Sequence, residues 1–261
     1  MTEAIRLDRV TLWRRTQEEF SYDLKRTILN LLEGQYHQPI RKQILHEVSL
    51  TIAQGERLGL IGANGAGKST LLKVICGILS PTSGTLRVRG SITPLIELGV
   101  GFDPENSVLN NIIYYGVFLG FKRREMQVRA AEILDFAELQ DYAWVPLKGL
   151  SSGMKARLGF AIATQVEPEI LILDEVMAVG DENFRRKSQK RLEEFWQRRH
   201  TTILTVSHNL DSIRDTCQQV IWLDRGKVRF VGDSKEAITQ YLDESRHQFD
   251  QTNHATDRPS D

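Results

Sequence analysis

Cysteine is nearly missing from this chain: Cys76 and Cys217 are the two in 261 residues. Their separation suits no metal site, and two thiols cannot form a disulfide framework. A stapled secreted scaffold is therefore excluded, and a reducing compartment is expected. Net charge is missing as well, since 34 Lys and Arg balance 34 Asp and Glu. Nothing global marks a nucleic-acid binder, and no nucleic acid is expected among the partners. No apolar run approaches the roughly 20 residues of a membrane span. The start, MTEAIRLDRV, lacks the basic residues and apolar stretch of a secretion signal. We expect a cytoplasmic protein that works at a membrane only through a partner. Internal repeats and low-complexity blocks are also lacking. What is present is ordinary for a globular protein: 41% hydrophobic and 26% charged residues, enough for one large or two small domains.

Against that plain background one run stands out, GANGAGKST at residues 62–70. It fits the phosphate-binding P-loop pattern of Gly, four residues, Gly, Lys, then Ser or Thr. An apolar stretch (57–61) precedes it and a helical one (71–75) follows, which is the strand–loop–helix setting the pattern needs. Gly62, Gly65 and Gly67 let the backbone curl so that N–H groups point inward at one anion, with Ala63, Asn64 and Ala66 completing the curl. The helix adds its positive N-terminal end. Lys68 brings a mobile charge for the outer phosphates. The Ser69 hydroxyl is placed for Mg²⁺, and Thr70 closes the motif. The competing reading is a Gly-rich turn with a chance lysine.

A second segment, ILILDE at 170–175, is an apolar strand ending in two carboxylates. Asp174 at such a strand end can hold Mg²⁺ beside a P-loop. Glu175, next to it, can orient or deprotonate a water attacking a γ-phosphate. The alternative is a strand that ends in an acidic turn. His208 follows another apolar strand, 202–207, where a histidine can donate to a γ-phosphate or serve structure alone. In LSSGMKARLGFAIA, 150–163, a Ser-Ser-Gly turn opens a helix. Ser151, Ser152 and the Gly153 N–H can grip a phosphate there, or Ser can act as an ordinary N-cap. One P-loop already surrounds its own nucleotide, so a second such turn makes sense if it serves a nucleotide bound by another copy.

Along the chain, strands are expected at 4–13, 44–53, 84–90, 92–96, 169–173, 202–206 and 220–223. Helical patterning fills 106–163, with a break at 146–149, and 184–199. Strands alternating with helices point to α/β with a largely parallel core sheet. An amphipathic stretch at 22–33, inside an interruption spanning 16–43, fits either a partner or membrane surface or an edge of the protein's own sheet. The basic run 185–199 reads as a solvated helix face. The tail from about 244 is polar and expected to be disordered.

P-loop, Ser-Ser-Gly turn, ILILDE and His208, in that order and spacing over roughly residues 4–243, resemble the ATPase subunit of an ABC transporter. The resemblance implies a P-loop NTPase (RecA-like) α/β core with an ABC-type antiparallel β subdomain and a helical subdomain. It divides the chain into an ATPase domain at 1–243, with the helical part at about 104–160, and the tail at 244–261. It also implies a head-to-tail homodimer with two ATP molecules sandwiched between P-loop and signature turn. Glu175 then matches the catalytic glutamate, His208 the switch histidine and Asp181 the aspartate linking the two sites. Trp13 sits where the family stacks an aromatic ring on adenine, or it is a core residue.

The strings at 94–105, 151–163 and 174–188 look like the branch exporting O-antigen, capsule and teichoic acid, usually lipid-linked. There the ATPase pairs with a separate integral membrane permease and lies peripherally on the cytoplasmic face of the cell membrane. The chain departs from the family pattern in three places. The signature reads Leu-Ser-Ser-Gly-Met. Glu97 or a neighbour stands where a Mg²⁺-linked glutamine is usual. The helix-opening text at 106–111 is altered. Some members carry a C-terminal carbohydrate-binding domain, and none is expected here. Other readings that stay open are an ABC ATPase serving a different transported substrate and a soluble, non-transport ABC protein.

Overall fold

The computed structural model describes residues 2–15, 41–95, 99, 101–165, 168–174, 181–197, 201–207 and 209–256. Strand β1 (Glu3–Arg15) pairs antiparallel with β2 (Arg41–Ala53) on one side. Its other side pairs with β4 (Ser83–Val88), giving a three-stranded sheet in the order β2-β1-β4. Ile5 and Leu7 are buried, and so are Val10 and Leu12. The apolar alternation therefore slips by one residue between Leu7 and Val10. The register shifts there too, and Arg9 takes a left-handed φ of 47°. An extra residue in a strand produces this phase change.

The second sheet has six strands in the order β5-β6-β7-β3-β8-β9. These are β3 (Arg57–Ile61), β5 (Ile92–Leu95), β6 (Ile170–Asp174), β7 (Thr202–Val206), β8 (Gln219–Asp224) and β9 (Lys227–Asp233). All neighbours pair parallel except β8 and β9, which form a hairpin. Strands covered on both faces read as unbroken apolar runs, and β6 displays the reason. Ile170 and Ile172 join the core under the three-stranded sheet. Leu171 and Leu173 join the core under the helices.

Helix α1 (Lys68–Ile75) packs between the two sheets through Leu71, Leu72, Val74 and Ile75. Helices α2 (Val108–Phe118), α3 (Arg123–Ala137) and α4 (Ser152–Ala163) form a separate layer with α5 (Glu182–Gln197). Phe136, Phe160 and Phe184, one from each of α3, α4 and α5, meet with ring centroids 5.8–6.1 Å apart. Gly116 lets α2 approach α3, because a Cβ there would run into Met126. The altered text at 106–111 has a structural use. Ser107 caps α2 by accepting from the Asn110 N–H. The buried Asn111 amide donates to the carbonyls of Asp103, Asn106 and Ser107 and accepts from the Asp103 N–H.

Helices α6 (Leu210–Thr216) and α7 (Ser234–Thr256) cover the β8 side of the sheet. Helix α7 runs on to Thr256, into the polar segment that begins at about 244. No Pro or Gly interrupts residues 234–256, so nothing in the composition stops the helix. The amphipathic stretch at 22–33 lies outside the described residues.

Candidate functional site

Residues 62–67 leave the C-terminal end of β3 and wrap into the start of α1. Gly62, Gly65 and Gly67 all have positive φ, at 148°, 78° and 103°. At Gly62 a Cβ would run into the Leu223 carbonyl, so close approach as well as φ demands glycine. The curl closes on itself through the Ala66 N–H to the Ala63 carbonyl at 3.1 Å. Lys68 is 8% exposed, and its Nζ donates to the carbonyls of Gly62 at 2.6 Å and Ala63 at 3.1 Å. No side chain caps α1; its N-cap is the left-handed Gly67. The first N–H groups of that helix therefore face the loop, the arrangement that receives an anion.

Sheet order brings the rest of the site together. β7 lies between β6 and β3, and Val206 pairs with Asp174 on one side and Leu60 on the other. Asp174 is thus held about two strand spacings, roughly 10 Å, from the strand that feeds the loop. Asp174, Asn64, Gly65, Lys68, Ser69 and Thr70 line one cleft of about 780 Å³. A cleft of that size suits a nucleotide-sized molecule. Ser69 and Asp174 are hard oxygen donors on its two sides, and with phosphate oxygens they fit Mg²⁺.

Residues invisible to local motif reading complete the cleft. Lys42, Gln43, Ile44 and His46 enter from β2, and Arg225 enters from the β8–β9 turn. That turn is fastened to the loop: the Gly226 N–H donates to the Ala66 carbonyl at 2.8 Å, and its carbonyl accepts the His46 N–H at 2.8 Å. Only contacts across the sheets assemble this set, so no stretch of sequence announces it. Trp13 is 45% exposed and stands opposite Gln43 in the β1–β2 register, beside the cleft and outside the core.

The Ser-Ser-Gly turn lies elsewhere. Ser151, Ser152 and Gly153 do not line the cleft. Ser151 caps α4, its Oγ accepting from the Met154 N–H at 3.2 Å, and Ser151 and Ser152 are exposed. Asp181 opens α5: its carboxylate accepts the Phe184 N–H at 3.0 Å. That bond, helped by the Arg157 guanidinium 3.7 Å away, holds its carboxyl below the usual carboxylate range. Arg157, from α4, also pairs at 3.0 Å with Glu138 at the end of α3, so α4 is tied both to α3 and to the start of α5. Glu175, His208 and Glu97 lie outside the described residues.

Residues 45–178 match the family model described as ABC transporter. The chain is 46% identical over 197 residues to the O-antigen export system ATP-binding protein RfbB of Myxococcus xanthus, covering 76% of this chain and 45% of that protein. It is 42% identical over 197 residues to RfbB of Klebsiella pneumoniae, also an O-antigen export system ATP-binding protein, covering 76% and 80%. It is 37% identical over 227 residues to the teichoic acids export ATP-binding protein TagH of Shouchella clausii, covering 85% and 62%. The chain thus spans less than half of the Myxococcus relative and most of the Klebsiella one. Among solved structures it resembles the dimeric post-hydrolysis ATP-binding cassette MJ0796 bound to ADP and Pi, with a TM-score of 0.66, 23% identity and coverage of 88% and 98%. That likeness establishes the α/β cassette fold expected from the motifs, with its antiparallel sheet and helical layer.

Proposed function

This chain belongs to the ABC transporter family, and from that premise we propose that it is the ATP-hydrolysing subunit of an exporter for a cell-surface polysaccharide. The single observation that carries the activity is the convergence of Lys68, Ser69 and Asp174 on one cleft built around the glycine curl. The substrate class rests on 37–46% identity to proteins named for O-antigen and teichoic acid export. The transported molecule is a glycan polymer, lipid-linked as in that branch, and it passes through a separate membrane permease. Among the described residues no helix is long and apolar enough to cross a membrane, so the chain itself supplies no described span.

The mechanism follows from the site. Backbone N–H groups of 62–70 and the Lys68 ammonium neutralise the phosphates, while Ser69 and Asp174 are the residues that would hold Mg²⁺. Held there, the ion would supply charge neutralisation for the phosphates. Glu175 follows Asp174 directly in sequence and orients the attacking water, and His208, two residues past β7 in sequence, donates to the γ-phosphate. Trp13 stacks on the adenine. In a head-to-tail dimer Ser151, Ser152 and Gly153 close over the partner's nucleotide, and Asp181 links the two sites. Closure drives the permease, and hydrolysis resets it. Catalysis is thus mostly positioning and electrostatics.

The test is deletion of the gene with recovery by wild type and by Lys68→Ala. Loss of surface glycan with polymer retained inside the cell, restored by wild type alone, is the expected result. Normal surface glycan in the deletion strain would overturn the substrate class. Equal phosphate release by purified Lys68→Ala and wild type would overturn the activity.

A further inference from the structure

The β8–β9 hairpin has a two-residue turn, Arg225-Gly226, between the paired residues Asp224 and Lys227. Both turn residues have positive φ, 45° and 76°. This is the turn form that favours Asn-Gly or Asp-Gly, because L-residues with longer side chains enter the left-handed region at a cost in backbone energy. An arginine stands where asparagine would be easier. Strain of this kind at a cleft is a reason to ask what the side chain does.

Its surroundings give the answer. Arg225 lines the P-loop cleft. It is exposed and makes no ion pair or side-chain hydrogen bond among the described residues. The neighbouring carboxylate, Asp224, is already engaged by Arg229 at 3.6 Å. Lys42 lines the same cleft from β2 and is placed opposite Arg14, so two cations face each other across the strands. Like charges directly opposed on a sheet repel. A bound anion would relieve that repulsion.

Sheet order fixes which end of the ligand these groups meet. β3 lies between β7 and β8. Asp174 therefore flanks the P-loop from the β7 side and Arg225 from the β8 side. The Asp174 side is where outer phosphates and metal belong. The Arg225 side is shared with Gln43, whose cross-strand neighbour is Trp13.

We propose that Arg225, with Lys42 of the adjoining β2, is a nucleotide-binding residue whose guanidinium engages the α-phosphate end of the bound nucleotide. This rests on the reading of the cleft as an ATP site and adds to it a cation set outside the P-loop. The turn position is held by the Gly226 bonds to Ala66 and His46, so the guanidinium is delivered at low cost in order.

Arg225→Asn separates binding from folding, because asparagine suits the turn. Thermal melting of the nucleotide-free full chain should therefore be unchanged or slightly raised. Calorimetric titration with ATP and with ADP should show affinity reduced about tenfold for both nucleotides, the loss expected for one charge-assisted contact. A lowered melting temperature would assign Arg225 to the turn's stability and overturn the proposal. Equal affinity of variant and wild type would do the same, and so would a loss confined to ATP, which would move the contact to the γ-phosphate. If wild type itself failed to bind ATP, the reading of the cleft would fall first, a result distinct from all of these. Lys42→Gln in the Arg225→Asn background should lower both affinities further.

Discussion

The loop at 62–67 and the turn at 150–153 both lead into the N-terminus of a helix, and both are made of small residues. Their fastenings differ. The loop is bonded to itself, its lysine is folded onto its carbonyls, and the β8–β9 turn is bonded to its back. The helix it opens has no side-chain cap. In the turn at 150–153, Ser151 and Ser152 are exposed, and Ser151 already satisfies an N–H of the helix it opens. The first site has donors kept for a ligand and walls from β2, β6, β7 and the β8–β9 turn. The second has its local needs met and does not line that cleft. A helix start whose donors are unmet wants an anion outright, whereas a self-capped one contacts a ligand only when something else presents it. The P-loop is built as a site within this chain; for the signature turn our proposal is a role over a nucleotide held by a partner.

The strongest way to break this contrast is Lys68→Ala. If the loop is complete within one chain, removing its cation should cost the monomer roughly a hundredfold or more in ATP affinity by calorimetry. Unchanged affinity would mean that the cleft does not hold phosphate. Next comes Ser152→Arg on a Glu175→Gln background. Monomer binding of ATP should persist while ATP-driven pairing, read by light scattering, disappears. A dimer that still forms would deny the turn its role across an interface.

Phe160→Ala sharpens the contrast from the packing side. It empties the ring cluster of the helical layer at a cost of about 3–5 kcal/mol. ATP affinity at low temperature should nonetheless stay near wild type, because the cleft is walled by the other core; a joint collapse would show the two layers to be one cooperative unit. A last check, without consequence for activity, concerns Cys76, at the end of α1. Burial pushes its thiol up to about 11, which disfavours the thiolate in the folded chain. Alkylation at pH 8 should run roughly a hundredfold slower than for an exposed cysteine and accelerate up to about pH 11. Fast labelling at pH 8 would mean that α1 frays where the contrast holds it rigid.

The parts of this molecule that could be read in the sequence are those whose cause is local. The glycines of the P-loop dictate their own conformation. The apolar runs at 57–61, 170–174 and 202–206 announce strands buried on both faces. Asp174 is legible because one strand carries it to a place already defined by another. Lys42, His46 and Arg225 were not legible, because only the packing of β2 and the β8–β9 hairpin on the loop makes them neighbours. Asp181 was read through resemblance as a link between two sites. Its visible work is to open α5, a role that the aspartate three residues before Phe184 could have suggested.

Residue 226 gives its amide hydrogen to the cradle around the phosphates and takes one on its carbonyl from the outer sheet. The two peptide planes that meet at the Gly226 Cα therefore rivet three pieces of the molecule together. A tug on the outer sheet tilts one plane and, through that Cα, the other, so it reaches the cradle without passing through any side chain. The amide proton at 226 should accordingly be among the slowest to exchange with solvent, and its protection should rise in step with occupancy of the cleft.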